Sequence, residues 1–188
     1  MEKNSYPAKR NTYSKQPLAP GTMEFTEALG VAESSPAFAS WRKAHPKGYL
    51  VHGFCMLDDP DTWQIGFYDG ESDRVTIFTV KGAEVAAGEA SEAMKEASVI
   101  KELRRDHLLS ASDEALTKAS VHRKEKYPGH DVAKGFVVVQ HIAAGQVWNV
   151  SYFTKTYSLC NIKIDTKTGE VLESSCESLL GWDGARTL

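Results

Sequence analysis

The chain echoes itself, and any fold assigned to it must allow for two related units. Trp41 to Leu57 reads WRKAHPKGYLVHGFCML, and Arg123 to Val139 reads RKEKYPGHDVAKGFVVV. Pro46 is answered by Pro128 and Phe54 by Phe136, both at an offset of 82 (128 − 46, 136 − 54). Trp63-Gln-Ile-Gly-Phe-Tyr68 is answered by Trp148-Asn-Val-Ser-Tyr-Phe153 at an offset of 85 (148 − 63), and Glu84-Val85 by Glu170-Val171 at 86 (170 − 84). The drift falls between elements, where loops absorb insertions. Self-similarity of this kind marks a duplicated supersecondary unit, and it has to be recognised before architecture is assigned.

Each unit reads as a helix followed by an antiparallel meander. A short helix is expected after Thr22. A second is signalled by Ser35-Pro36, an N-cap before a proline at the first helical position, and is stopped by Pro46 and Gly48. Strands follow near 49–57, 62–69 and 74–80, separated by the turn-rich runs Asp58-Asp-Pro-Asp61 and Asp69-Gly-Glu-Ser-Asp73. In the second unit, Ser112-Asp113 caps a helix running to about Lys126, which Tyr127-Pro128-Gly129 ends. Strands near 133–142, 146–155 and 158–165 come next, with a last one from Glu170. Between the units, Ala93, Ala97, Ile100 and Leu103 recur at helical spacing, which predicts a connecting helix over 91–109. The expected class is therefore α+β: two tandem helix-plus-antiparallel-meander, cystatin-like αβββ repeats joined by a helix. The expected layout is a flexible tail at 1–22, a first repeat at 23–90, the linking helix, a second repeat at 110–176 and a C-terminal tail at 177–188. A unit of about 60 residues is marginal alone, so the two are expected to share one sheet assembly.

Strand side chains alternate between faces. One face carries Trp63, Ile65 and Phe67 in the first unit and Trp148, Val150 and Tyr152 in the second. Carrying the offset of 85 into the next strand places Val75, Ile77 and Thr79 on this apolar face, opposite Cys160, Ile162 and Ile164. The reverse face is mixed in the first unit (Gln64, Gly66, Tyr68, Thr76, Phe78) and mostly polar in the second (Asn149, Ser151, Phe153, Asn161, Lys163). So many hydrogen-bonding groups do not belong in a sealed core. The second unit's outer face is expected to meet water or a polar ligand.

The bulk chemistry excludes several classes. A net charge of −3 lacks the basic excess of a nucleic-acid binder. No apolar run reaches the roughly 18 residues that span a bilayer, and the first residues lack a secretory layout, so no membrane contact and a cytoplasmic location are expected. Cys55, Cys160 and Cys176 are odd in number and unpatterned, which fits reduced thiols, with a Cys160–Cys176 bridge as the alternative. His45, His52, His107, His122, His130 and His141 form no HExxH, HxH or Cys/His ligand spacing, so neither metal nor cofactor is expected. His52 and Cys55, three apart on a strand, point to opposite faces and do not make a nucleophile–base pair. Cys55 aligns with Val137 and reads as a packing position.

The Leu109-Ser110 entry, the Tyr127-Pro-Gly129 stop, Trp148-Asn-Val150 and the closing Ile164-Asp-Thr-Lys-Thr-Gly-Glu-Val171 hairpin together resemble a PepSY domain over roughly 110–173. The first unit lacks the hairpin signature: Val80-Lys-Gly-Ala-Glu-Val85 has neither the Asp nor the Thr-Gly. The resemblance implies a cystatin-like fold and a non-catalytic role as a binding or regulatory module, with peptidase inhibition or regulation as one form. Its partner would be a protein or peptide, held at a sheet face or edge. The candidate contacts are Asn149, Ser151, Asn161 and Lys163, with Tyr68 and Trp182 as aromatic anchors. Two other readings stand beside it. One is a small-ligand protein or enzyme with a cavity between helix and sheet, for which Thr79, Tyr152 and Cys160 are the inward polar candidates. The other is a structural subunit, such as a homodimer, joined through open strand edges.

Overall fold

The structure is a computed structural model that describes residues 22–93 and 100–180. It contains helices α1 (Phe25–Glu33), α2 (Pro36–Ala44) and α3 (Ser112–Lys126). The strands are β1 (Tyr49–Met56), β2 (Thr62–Asp69), β3 (Arg74–Lys81), β4 (Glu84–Ala87), β5 (Ser91–Glu92), β6 (Val132–Ile142), β7 (Gly145–Thr154), β8 (Ser158–Asp165) and β9 (Val171–Ser178). They form one nine-stranded antiparallel sheet in the order β4-β3-β2-β1-β6-β7-β8-β9, with β5 paired to β3 beyond β4. The class is α+β, and the sheet is continuous. Its middle is the β1–β6 pairing, from His52 opposite Gln140 to Met56 opposite Phe136.

All three helices lie on one face. Ser35 governs the first two: its hydroxyl donates to the Ala32 carbonyl at the end of α1 and accepts the Phe38 N–H at the start of α2. From α2, Phe38 and Trp41 stack with Phe67 and Phe78, and the Trp41 indole donates to Thr76 at 3.0 Å. From α3, the small residues Ala115 and Ala119 let the helix sit close on β7 and β8. The centre belongs to α1. Phe25 is fully buried, 5.2 Å from the Trp63 ring and 5.8 Å from the Trp148 ring. It lies directly over Gly53, where any Cβ would collide with the phenyl ring.

Four expectations need correction. The first concerns β3. Trp63 pairs with Val80 and Ile65 with Phe78, so Thr76, Phe78 and Val80 face the helices. Val75 and Ile77 pack on the opposite face instead, and Thr79, two residues on, shares it. The β2–β3 turn is one residue longer than the β7–β8 turn: Asp69 pairs with Arg74, whereas Thr154 and Ser158 bracket the shorter one. The offset therefore falls to 84 (164 − 80), and a one-residue slip exchanges the faces of a whole strand.

The second concerns the link. Residues 91–93 and 100–109 form no α-helix, only β5 and a single 3-10 turn at Arg105–His107; Ala97 lies outside the described residues. The segment is a strap. Ala93 and Ile100 pack on Val51, Tyr68 and Val75 on the outer face, and Leu103 then enters the helix-side core. Backbone and side-chain bonds from this stretch go to its neighbours: Leu103 N–H to the Leu50 carbonyl, and Arg104 to the Gln146 amide. The apolar spacing is thus satisfied by two opposite faces of a sheet rather than by one helix stripe.

The third concerns cysteine. Cys160 and Cys176 are joined by a disulfide, against the expectation of reduced thiols. They sit directly opposite each other on β8 and β9, a juxtaposition that a count of cysteines cannot reveal.

The fourth concerns the α3 cap. Ser112 supplies no cap and Asp113 only part of one, its Oδ1 accepting the Glu114 N–H at 2.6 Å. The Glu24 carboxylate, from just before α1, accepts the Ser112 N–H at 2.9 Å, the Asp113 N–H at 3.1 Å and the Ser112 hydroxyl at 2.5 Å. An anion at a helix N-terminus satisfies orphan donors and complements the helix dipole. Here the ligand comes from 88 residues earlier in the chain, so it also ties α1 to the second half.

Replacing Glu24 with Ala is expected to cost about 1–2 kcal/mol in urea unfolding, while Glu27→Ala on the exposed side of α1 stays within about 0.5 kcal/mol. Equal effects would refute the cap. Phe25→Ala is expected to cost about 3–5 kcal/mol.

Candidate functional site

With all the described helices on one side, the other side of the sheet is where a partner has room. Its two halves differ. Over β1–β3, the outer face is covered by the strap: Tyr49, Val51, Tyr68, Val75 and Ile77 form an apolar cluster with Ala93 and Ile100, and the Tyr49 hydroxyl donates to the Ile100 carbonyl. Over β6–β8, none of the described residues lies across it.

The bare half carries a row of rings. Phe54 on β1 stacks 5.5 Å from Phe136 on β6, which lies 6.1 Å from Phe153 on β7. Phe153 is 40% exposed. Next to the row come the polar candidates. Ser151 donates to Asn161 Oδ1 at 2.6 Å, and Lys163 pairs with Glu173 of β9 at 2.9 Å. Asn149 faces Lys163 across the ladder, and its Oδ1 is buried with no hydrogen-bond partner among the described residues. An acceptor in that position normally binds a water or a ligand donor. Asn149, Ser151, Asn161 and Lys163 are therefore one contiguous group, as their alternation implies.

The two aromatic anchors do not join them. Tyr68 lies three strands away from β7, about 14 Å at the usual strand spacing. It is nearly buried, and its hydroxyl donates to Asp73 at 2.6 Å. That hydrogen bond, with burial added, raises its phenol to about 12. Trp182 lies outside the described residues. The ring row is what sequence reading missed. Phe54 and Phe136 are repeat partners in the sequence, but only the β1–β6 pairing sets them side by side with Phe153.

The features that would favour an enzyme are dispersed. Tyr152 faces the helices beneath the Arg123 guanidinium, 5.6 Å from its ring, and burial raises its phenol to about 12. An open groove of about 810 Å³ runs between α1, α2 and the β3–β4 turn, and a hollow of about 250 Å³ lies beside the N-terminal half of α3. Neither is lined by Tyr152 or by a histidine. Thr79 is excluded as an inward candidate by the β3 register. Cys55 is buried, and burial with nearby Asp59 and Asp61 raises its thiol to about 12, far from a reactive thiolate. His52 lies on the outer face across Gly66, and burial lowers its pKa. One cluster was invisible in the spacing. The donor atoms of His130, Cys160 and Cys176 lie within 4.8 Å of one another.

No family model matches the chain, and no curated protein matches it. Among solved structures, its fold is similar to the crystal structure of a "putative lipoprotein" from Clostridium difficile 630. The two are 12% identical with a TM-score of 0.52, over 83% of this chain and 94% of that one. At that identity the likeness concerns the fold alone. No described helix is long and apolar enough to cross a membrane.

A raised phenol pKa means that folding favours the protonated ring. The stability contributed by Tyr68 and Tyr152 is complete below the ordinary value of about 10 and is lost as pH rises towards about 12. An absorbance titration is expected to show at least two of the seven tyrosines ionising near 12, with the urea midpoint falling over the same window. Ionisation of all seven near 10 would contradict the described environments.

Proposed function

We propose that this chain is a non-catalytic binding module, made of two PepSY-like helix-plus-meander units, which holds an extended segment of a protein or peptide on its bare outer face. The observation that carries this reading is the asymmetry of the sheet. The strap covers one outer half, and the other presents Phe54, Phe136 and Phe153 bordered by Asn149, Ser151, Asn161 and Lys163. A row of partly buried rings ending in the exposed Phe153 gives apolar contact at small entropic cost, and adjacent amides and a lysine supply orientation. Asn149, opposite Lys163 on the ladder, adds an amide to the polar border of this face.

The two-unit reading is supported by the strand order, which runs outward from β1 and β6 through matching meanders. It is also supported by Trp63 and Trp148, which flank the same phenyl ring. Gly53 and Gly135, 82 apart, both sit where a Cβ would strike a neighbour. Regulation of a peptidase is the specific form that the PepSY resemblance suggests. As for location, the Cys160–Cys176 bridge favours an oxidising compartment over the cytoplasm expected from the sequence.

Selection of a displayed peptide library on the intact protein tests the surface. Selected peptides should bind Phe153→Ser, Asn161→Ala and Lys163→Gln about tenfold more weakly or worse, a loss of about 1.4 kcal/mol, with melting temperature nearly unchanged. Peptides that bind all three variants normally would place the site elsewhere.

A further inference from the structure

The chemistry gathered beneath the C-terminal end of α3 is not used by the proposed binding face. Cys160 is fully buried on β8, Cys176 is half-buried opposite it on β9, and His130 is half-buried just beyond α3. Their sulfur and nitrogen donors fall within 4.8 Å of one another, although the three residues are spread over 46 positions (176 − 130). The imidazole is held from behind. Thr156 Oγ1 lies 3.2 Å from His130 Nδ1, and Thr156 is in turn hydrogen-bonded to Thr154. The backbone is held as well, because the Arg123 guanidinium on α3 donates to the His130 carbonyl. A histidine whose ring and backbone are both fixed beside two sulfurs resembles a ligand with its outer shell in place.

We propose that Cys160, Cys176 and His130 form a redox-gated site for a thiophilic divalent cation of the zinc class. In the bridged state the sulfurs are spent on each other. A dithiol reductant opens the site: the Cys160–Cys176 bond breaks, each sulfur gains one electron and one proton, and the reductant's two sulfurs form a new S–S bond. Freed of the bridge, the sulfurs can move apart to the roughly 3.8 Å that tetrahedral Zn–S bonds of about 2.3 Å require. Metal entry then displaces the two thiol protons. Two thiolates and a neutral imidazole around a divalent ion carry no net charge, which suits a site walled on one side by the core. Three protein donors leave a fourth position for water or an outside ligand. Cys176 and His130, both half-buried, give the ion a way in.

The test uses the full chain, reduced with a phosphine, freed of reductant without air and titrated with Cd(II). The expected result is one Cd(II) per chain with a thiolate-to-metal charge-transfer band. Cys176→Ser should lose the band, and His130→Ala should weaken binding about tenfold or more. Cys55 is a buried thiol with a strongly raised pKa, so it should add nothing. His130 lies in a loop, so its variant should fold and bridge normally, which keeps the comparison interpretable. Three outcomes would overturn the site: a bridge that cannot be reduced in the folded protein, no band after reduction, or equal Cd(II) affinity with and without His130. Any of them would leave the bridge as a staple between β8 and β9.

Discussion

One phenyl ring sits where two halves of a sheet meet. Phe25 fills the space between Trp63 and Trp148, and it can do so because Gly53 beneath it has no side chain. Sheets twist, and a wide sheet with one covered face needs something to fill the hollow where its centre curves. A helix carrying one large aromatic does this better than the short strands could alone. The indoles on either side are themselves anchored: Trp63 donates to the Met23 carbonyl and Trp148 to Ser110. Residues before α1 and before α3 thus hold the two tryptophans, while Glu24 bridges from the first of these segments to the start of α3. The β1–β6 ladder supplies direction, and the α1 segment supplies packing and a charge-assisted tie.

From this arrangement the division of the sheet's faces follows. The described helices lie on one side, and on the other the strap is the described segment that packs on the sheet. The strap is long enough to reach over β1–β3, where it meets Val51, Tyr68 and Val75, before turning in at Leu103. Among the described residues, none lies across the half with the aromatic row and the amides. A bridged pair of cysteines and a histidine lie on the opposite side, under α3. The proposed binding face and the proposed thiol site consequently lie on opposite sides of the sheet, so they can be disturbed independently.

Much of this was legible in the chain. Ser35-Pro36 announces α2, Pro46 and Gly48 close it, and the turn-rich runs delimit β1, β2 and β3 to within a residue or two. The Asn149, Ser151, Asn161 and Lys163 group followed from alternation alone. The errors share a physical origin. Periodicity reports which residues are apolar, not what they pack against, so Ala93, Ile100 and Leu103 read as a helix stripe when they serve two faces of a sheet. A face assignment carried from one unit to the other fails at the first turn of different length, as it did for Val75, Ile77 and Thr79. Contacts made across distant segments leave no local trace, which is why the Glu24 cap, the Cys160–Cys176 bridge and the ring row were hidden.

The β1–β6 seam and the Phe25 plug should make one cooperative unit of all nine strands. Native-state hydrogen exchange under rising urea tests it most directly, by following amides in β2–β3 and in β7–β8 separately. Both sets are expected to merge into a single global opening with one free energy. Were the β2–β3 amides to exchange through an opening that leaves β7–β8 protected, the halves would be independent, and the seam would not be what holds the molecule together.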